Sequence, residues 1–287
     1  MSPRPGDLAR LVRAPAALTV PGDVIAGAAA AGGFGPRVLG TAASSVCLYW
    51  AGMALNDYAD RERDAVERPE RPIPSGAVAP GTALAAATGL TVTGLGLAAA
   101  GTGRRGLTSA LALAGSVWAY DLVLASTPAG PAGMALARAL NVLSGAAHGR
   151  ILAAAPAAAV IGAHTAVTTW LSRYEVRGAS AAPPSTALGA TALIGAAVAA
   201  PLRSRPPAAR LAALLAAGYA GSCGQAQTAA AADPSARNVR RAVAAGIHGL
   251  MPLQAALTAA AGAPVAAVSI AMAFPVARRI GKRSSPT

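Results

Sequence analysis

The chain has few charged, aromatic and cysteine residues for its length. Only 12% of its 287 residues are charged, against about 25% in soluble proteins, and 54% are hydrophobic. The two cysteines, Cys47 and Cys223, both lie in apolar stretches, which excludes a disulfide framework and a cysteine zinc site. Aromatic residues make up 3%, too few for base stacking. The sequence therefore predicts an integral membrane protein that binds no nucleic acid, despite its net charge of +13.

Long apolar segments divide the chain into nine or ten predicted membrane spans. Each is about the length that crosses a bilayer core, and the last two are separated only by a turn around Gly262 and Pro264. No second domain, long linker or internal repeat is visible. We therefore expect one all-α polytopic domain over residues 1–287, with basic cytoplasmic tails at about 1–12 and 280–287. The predicted spans lie near 14–33, 38–57, 79–101, 106–125, 131–149, 151–171, 184–201, 208–231, 239–261 and 264–278.

The distribution of basic residues predicts the orientation of these spans. With ten spans and the N-terminus inside, sixteen Lys and Arg residues lie on the inner side and seven on the outer side. With nine spans the counts become twelve and eleven. Because basic residues favour the cytoplasmic side, the first count favours ten spans. We expect the protein in the plasma membrane of a bacterium. This orientation places the loop after the second span in the cytoplasm.

Acidic residues are concentrated in that loop. Six of the eleven Asp and Glu residues fall within residues 57–71, and carboxylates held beside hydrocarbon indicate a functional site. Asn56, Asp57, Asp60 and Asp64 are spaced to lie on an arc of roughly 100° on one helix face. Oxygen donors of this kind suit a hard divalent cation such as Mg²⁺. The alternative is a solvated interfacial loop whose carboxylates pair with nearby arginines, which are Arg61, Arg63, Arg68 and Arg71.

The acidic run continues into Arg71-Pro72-Ile73-Pro74-Ser75-Gly76. Together, the two pieces resemble the first aspartate-rich motif of the UbiA superfamily of intramembrane prenyltransferases. Further segments are similar to the EboC-like branch of that superfamily, and the resemblance covers about residues 10–280. The segments that carry the branch resemblance are Tyr120-Asp121, Thr127-Pro128, Gly130-Pro131, Met134, residues 138–145, residues 172–178 and the stretch from Arg241 to Pro252-Leu253-Gln254-Ala255.

The resemblance implies a bundle of nine or ten helices with a lipid-facing central cavity. Such a bundle binds a prenyl diphosphate through Mg²⁺ and passes the prenyl group to a small hydrophobic or aromatic acceptor in the bilayer. The resemblance leaves the prenyl length, the acceptor and the oligomeric state open. The implied residues fall into three overlapping sets. The catalytic set is Asp57, Asp60, Asp64 and Asp121; the metal ligands are Asn56, Asp57, Asp60 and Asp64; and the substrate-binding set is Asn56, Arg68, Arg71, Tyr120, Asn141, Arg173, Tyr174, Glu175 and Arg177.

The sequence departs from the superfamily at two places. Where a second aspartate-rich motif is expected, the chain has Arg173-Tyr174-Glu175-Val176-Arg177, with one carboxylate and two arginines. After Tyr120-Asp121, it has Ala125-Ser126 where relatives often carry basic residues. One interpretation is that Arg173 and Arg177 contact the diphosphate directly. A second is that the protein is a non-catalytic UbiA-like membrane protein that assists export of a metabolite precursor.

Individual candidates also have a purely structural interpretation. Asp121 could pair with Arg138 at a helix end, and Asn141, Tyr120 and Tyr174 could satisfy hydrogen bonds between helices. These interpretations stay open at the level of the sequence.

Overall fold

The computed structural model describes residues 4–200 and 206–284, and this part of the chain is helical without strands. Eleven α-helices lie within it, joined by short turns, 3₁₀ segments and one π-helical turn. In chain order they are α1 (Pro5–Leu11), α2 (Val20–Ala30), α3 (Arg37–Ala59), α4 (Arg61–Glu67), α5 (Pro80–Ala119), α6 (Gly130–Gly145), α7 (Ala155–Ser172), α8 (Ala182–Ala199), α9 (Pro206–Ala232), α10 (Ala236–Ala260) and α11 (Pro264–Ser284).

Several helices have the length and composition of membrane spans. Within the described residues, five continuous helical segments are long and apolar enough to cross a bilayer, and two shorter apolar helices cover Ala17–Ala30 and Pro264–Pro275. Each of the ten predicted apolar segments contains helix, which confirms the all-α prediction. The choice between nine and ten spans stays a prediction.

Helix α5 reverses direction at Gly103. Forty helical residues would extend about 60 Å, twice the thickness of a bilayer core, but Gly103 adopts φ 62° and ψ −142°. This conformation is open to glycine and strained for other residues. Ala98 and Ala110, on either side of the break, pack into one cluster with Leu48 of α3. The reversal explains why the sequence pattern shows two spans here.

Close packing of α2 against α6 depends on glycines in both helices. A methyl group added at Gly27 would meet the Val142 carbonyl, and one added at Gly145 would meet the backbone of Val24. Small residues that let two backbones approach are typical of membrane helix crossings. The crossing holds Asp23 of α2 directly against Arg138 and Asn141 of α6.

The N-terminal residues differ from the predicted short tail. Residues 5–11 form α1, and Leu11 is fully buried in a cluster with Leu55, Ile73 and Val78. Burying an apolar side chain of this size stabilises a fold by about 1.5–3 kcal/mol, so α1 is anchored to the bundle. Of the predicted C-terminal tail at about 280–287, residues 285–287 lie outside the described residues.

Candidate functional site

The aspartate-rich motif is built across a junction between two helices. Asn56 and Asp57 end α3, Asp64 belongs to α4, and Asp60 lies between the two helices. The backbone N–H of Asp60 donates to the Asn56 carbonyl at 2.9 Å, and that of Asp64 donates to the Asp60 carbonyl at 2.8 Å. Helical hydrogen bonding therefore continues through the junction although the helix axis does not. The expected single helix face becomes two short faces that meet at Asp60.

Arginines neutralise all three aspartates of the motif. Asp57 Oδ1 accepts from Arg13 at 2.8 Å and from Arg71 at 3.3 Å. Arg71 also bonds to Asp64, and Arg63 reaches Asp60 at 2.5 Å. The predicted pairing of the aspartates with neighbouring arginines is thus observed for Arg63 and Arg71, whereas Arg61 pairs with Glu62 at 3.3 Å. The loop is not solvated as that interpretation required, because the side chains of Asp57 and Asp64 are only 3% and 1% exposed.

One oxygen of this cluster has no partner. Asp64 Oδ1 is buried and accepts no hydrogen bond from residues 4–200 or 206–284, which carries a desolvation cost of about 1–3 kcal/mol. Among the described residues, no three His, Cys, Asp or Glu side chains lie close enough to hold a metal ion by themselves. Mg²⁺ is commonly bound by one or two carboxylates together with phosphate oxygens. Asp57 and Asp64 therefore fit a hard cation whose other ligands come from a bound molecule.

Partial burial changes the acidity of Asp60. Burial raises the pKa of this carboxyl above its ordinary value, the Arg63 guanidinium acts against the rise, and the neighbouring Asp64 charge adds to it. Asn56 donates to Asp60 Oδ2 at 3.3 Å. The amide thereby joins the cluster as a hydrogen-bond donor, with its oxygen left for another partner.

A mostly apolar cavity of ≈ 70 Å³ begins one helical turn below the motif. Gly52 lines it, and a methyl group at Gly52 would meet Val117 and approach Asp121 Oδ2 at 3.4 Å. Tyr120 and Asp121 reach the wall from a π-helical turn, Tyr120–Leu124, a feature that is frequent at functional sites. The remaining lining residues are Val20, Leu48, Tyr49, Met53, Leu113, Val117, Met134, Ala137, Arg138 and Asn141.

A buried polar cluster forms another part of the cavity wall. Asp23 of α2 is fully buried, and its Oδ2 lies 3.0 Å from both Arg138 Nε and Asn141 Nδ2 of α6. Gln254 of α10 donates to Asp23 Oδ1 at 2.6 Å, and Ser45 of α3 donates to the Asn141 amide oxygen. Three helices therefore meet at the Asp23 carboxylate, and α3 joins the cluster through Asn141.

This cluster settles two open interpretations. The pairing of Arg138 with Asp121 is wrong, because the partner of Arg138 is Asp23. Asn141 makes the hydrogen bonds between helices that its structural interpretation required. It also lines the cavity, so contact with a substrate stays a prediction.

The segment that replaces the second aspartate-rich motif is only loosely joined to the first. Arg173 donates to the Thr127 carbonyl, and Tyr174 packs edge-on against Trp170 at 5.8 Å. The Glu175 carbonyl accepts from Arg240 at 3.5 Å. Burial raises the pKa of the Glu175 carboxyl, while the charges of Arg68 and Arg240 act against the rise. Arg68 and Arg177 are exposed.

Sequence reasoning missed two residues of the site. Arg13 was counted only as a topological charge, yet it contacts Asp57 from a left-handed conformation with φ 46°. No motif signals this contact, which depends on the chain path before α2. Asp23 left a clearer signal, because an acidic residue within an apolar span marks a functional or packing site by itself.

Curated relatives match the chain over a limited stretch. Digeranylgeranylglyceryl phosphate synthase from Methanopyrus kandleri is 46% identical over 79 residues, which are 28% of this chain and 28% of that protein. Chloroplastic chlorophyll synthase from Oryza sativa is 41% identical over 83 residues, which are 26% of this chain and 22% of that protein. The matched region thus spans about a quarter of the length of these relatives.

Solved structures match the chain over most of its length. A UbiA homologue from Aeropyrum pernix has a TM-score of 0.63 and 20% identity, covering 84% of this chain and 96% of that one. A UbiA homologue from Archaeoglobus fulgidus bound to DMAPP and Mg²⁺ has a TM-score of 0.61 and 15% identity, covering 86% and 98%. At this identity the similarity establishes the fold.

The sequence itself matches the sequence model of one protein family. The model of the UbiA prenyltransferase family aligns with residues 18–182, more than half of the chain, and the aligned region includes the acidic motif, the cavity lining and every member of the Asp23 cluster except Gln254. The chain therefore belongs to the UbiA prenyltransferase family.

Proposed function

We propose that the protein is a membrane prenyltransferase that transfers a prenyl group from a Mg²⁺-bound prenyl diphosphate to a small aromatic or lipid-like acceptor. The observation that carries this proposal is the pair of buried carboxylates, Asp57 and Asp64, one of which has an unpartnered oxygen. Asp57 lies just over one turn of α3 from Gly52, which lines an apolar cavity together with Asp121, and Asp64 of α4 shares Arg71 with Asp57. A charged head group and a hydrocarbon tail would find their respective partners side by side.

Asp57, Asp64 and the nearby Asp60 and Asn56 are the groups proposed to hold Mg²⁺. Carboxylates and a diphosphate repel each other, and a divalent cation between them removes the repulsion and stabilises charge on the leaving group. A homologue of the same fold has been solved with DMAPP and Mg²⁺ bound, which supports a Mg²⁺-bound prenyl diphosphate as the substrate of this fold.

The remaining charged residues would act on the diphosphate and the acceptor. Arg68, Arg173 and Arg177 are exposed, and we propose that they donate hydrogen bonds to phosphate oxygens. In the transfer, the bond between the prenyl C1 and the diphosphate oxygen breaks, the diphosphate leaves with the electron pair, and an acceptor atom bonds to C1. Asp121 faces the cavity without a salt bridge within the described residues. We assign to it the proton that the acceptor loses.

Other parts of the proposal go beyond family membership. Tyr120 and Asn141 line the cavity and would contact the substrate there. Tyr174 and Glu175 would contact it from the segment that replaces the second aspartate-rich motif. Similarity to the EboC-like branch, a bacterial plasma membrane and a cytoplasmic acidic motif are retained as proposals from the sequence. The export alternative gains no support from the relatives described above, which are named as synthases.

A turnover experiment tests the function. Purified protein in detergent is incubated with Mg²⁺, labelled geranylgeranyl diphosphate and a panel of phenolic, quinone and glycerophosphate acceptors, and both diphosphate release and labelled product are measured. Wild-type protein should form product, and Asp64→Asn should not. Absence of product and of diphosphate release in folded wild-type protein, across the panel and with farnesyl diphosphate as well, would overturn the proposal.

A further inference from the structure

Arg71 lies between two carboxylates of the acidic motif. Its NH1 group is 3.3 Å from Asp57 Oδ1 and bonds to Asp64 Oδ2 as well. The Arg71 side chain is 16% exposed and the two carboxylates are 3% and 1% exposed. A guanidinium therefore already occupies the position between Asp57 and Asp64 that a bridging cation needs.

The acidic motif is balanced in charge without a metal. Asp57 pairs with Arg13 and Arg71, Asp64 pairs with Arg71, and Asp60 pairs with Arg63. Three carboxylates thus face three arginines. A divalent cation that enters alone must break the contacts of Arg71 and leave its guanidinium beside two further positive charges. In a partly buried site, such like charges repel more strongly than in water.

A diphosphate that enters with the metal removes this obstacle. It supplies the negative charge that the additional cation requires, and its oxygens accept paired hydrogen bonds from a displaced guanidinium. Arg71 then exchanges one anionic partner for another. Asp57 keeps Arg13 as a counter-ion during the exchange, since that contact at 2.8 Å does not involve Arg71.

The unpartnered oxygen of Asp64 indicates that the arginine arrangement is incomplete. Arg71 satisfies Oδ2 of this carboxylate, but the buried Oδ1 accepts no hydrogen bond. A buried acceptor without a partner is costly, and a directly coordinated cation would satisfy it. The site therefore favours a cation that coordinates Asp64 Oδ1, which Arg71 leaves without a partner.

We propose that Arg71 is the specificity-determining residue of the acidic site: it excludes a free divalent cation and admits the complex of metal and diphosphate. The proposal rests on the proposed function for the identity of the diphosphate. It concerns metal selectivity, which can be measured without an acceptor and without turnover.

Binding of Mn²⁺, used in place of Mg²⁺, to the purified full chain tests the proposal by equilibrium dialysis. Pyrophosphate and its soluble Mn²⁺ complex pass the dialysis membrane, and electron paramagnetic resonance after acid release measures the excess Mn²⁺ retained with the protein. Wild-type protein should bind Mn²⁺ weakly alone and at least tenfold more tightly with inorganic pyrophosphate. Arg71→Gln should bind Mn²⁺ alone at least tenfold more tightly than wild type, with a smaller gain from pyrophosphate. Arg61→Gln is the matched control, because Arg61 contacts Glu62 and the Tyr58 carbonyl but none of the three aspartates, and it should behave as wild type.

Two results would overturn the proposal. One is wild-type protein that binds Mn²⁺ equally well with and without pyrophosphate, and the other is folded Arg71→Gln protein with unchanged affinity for Mn²⁺ alone. If Arg71→Gln does not fold, Arg71→Lys provides the same test, since an ammonium lacks the planar fork of arginine and should raise Mn²⁺ affinity to an intermediate level. Failure of prenyl diphosphate turnover in wild type would contradict the proposed function and leave this measurement intact.

Discussion

The Asp23 carboxylate and the Arg138 guanidinium form an ion pair at 3.0 Å between α2 and α6, with Asp23 fully buried. Gln254 and Asn141 donate further hydrogen bonds to the same carboxylate. Charges in a membrane interior are tolerated when they pair with each other within the bundle. With Gln254, the pair joins α2, α6 and α10 beside the cavity. It therefore connects the stability of the bundle to the shape of the site.

Removing one member of this pair should destabilise the protein strongly. Arg138→Met leaves a buried carboxylate without its counter-ion, and we expect a loss of about 3–5 kcal/mol. Asp23→Asn combined with Arg138→Met removes both charges and should recover most of the loss. Thermal unfolding in detergent measures the relative stability of wild type, the single variant and the double variant. Arg10→Met, which removes the exposed Arg10–Asp7 pair, should change little. An equal effect of Arg138→Met and Arg10→Met would contradict the prediction.

The crossing of α2 and α6 should not accept a methyl group. Gly27→Ala directs its Cβ into the Val142 carbonyl, and we expect a loss of about 1–3 kcal/mol from overpacking. Gly89→Ala is the control, because a methyl group there meets no atom within 4 Å and alanine favours a helix over glycine by about 1 kcal/mol. Thermal midpoints should move in opposite directions. A Gly27→Ala protein as stable as Gly89→Ala would contradict the packing described.

Glu175 should make stability fall as the pH rises. Because burial raises its pKa in the folded state, the folded protein binds a proton more tightly than the unfolded chain. The resulting stability is fully present below the ordinary Glu value of 4.5 and is lost as the pH rises through the raised folded-state pKa. Thermal midpoints of wild type and Glu175→Gln, measured from pH 4 to pH 8, should therefore differ in slope. Parallel curves would show that Glu175 does not titrate in this way.

Asp121 should affect transfer more than diphosphate binding. It lines the cavity and makes none of the arginine contacts of the motif, so Asp121→Asn should keep the Mg²⁺-dependent affinity for a prenyl diphosphate within about threefold. If Asp121 takes the acceptor proton, the transfer rate should fall at least a hundredfold, the lower end of the range for general bases. Single-turnover rates and equilibrium binding of the same protein separate the two quantities. A full transfer rate in Asp121→Asn would remove the assigned role.

Much of the fold follows from sequence because apolar spans of bilayer length are encoded locally. The acidic motif was equally visible, since six of eleven acidic residues fall in one short stretch. The reversal at Gly103 was visible only as a boundary between two spans. Its left-handed backbone depends on the packing of the two halves of α5, which composition does not specify.

The partners of charges that lie far apart in the chain could not be predicted from sequence. The structural alternative for Asp121 paired it with Arg138, seventeen positions away, but Arg138 pairs with Asp23 across 115 positions. The contact requires the close approach of α2 and α6 at Gly27 and Gly145. Arg13 reaches Asp57 for a similar reason, because the chain before α2 turns through a left-handed residue. Spacing along one helix predicts a face, whereas contacts between helices depend on how the faces meet.

Equilibrium binding of labelled geranylgeranyl diphosphate to purified protein, with Mg²⁺ or with EDTA, tests the central claim most directly. Wild-type protein should bind only with Mg²⁺, and Asp57→Asn and Asp64→Asn should each weaken binding at least tenfold, or about 1.4 kcal/mol. Glu62→Gln, an exposed carboxylate of the same motif that contacts only Arg61, should bind as wild type. Binding that survives EDTA, or that is equal in all four proteins, would contradict a metal-dependent diphosphate site at Asp57 and Asp64.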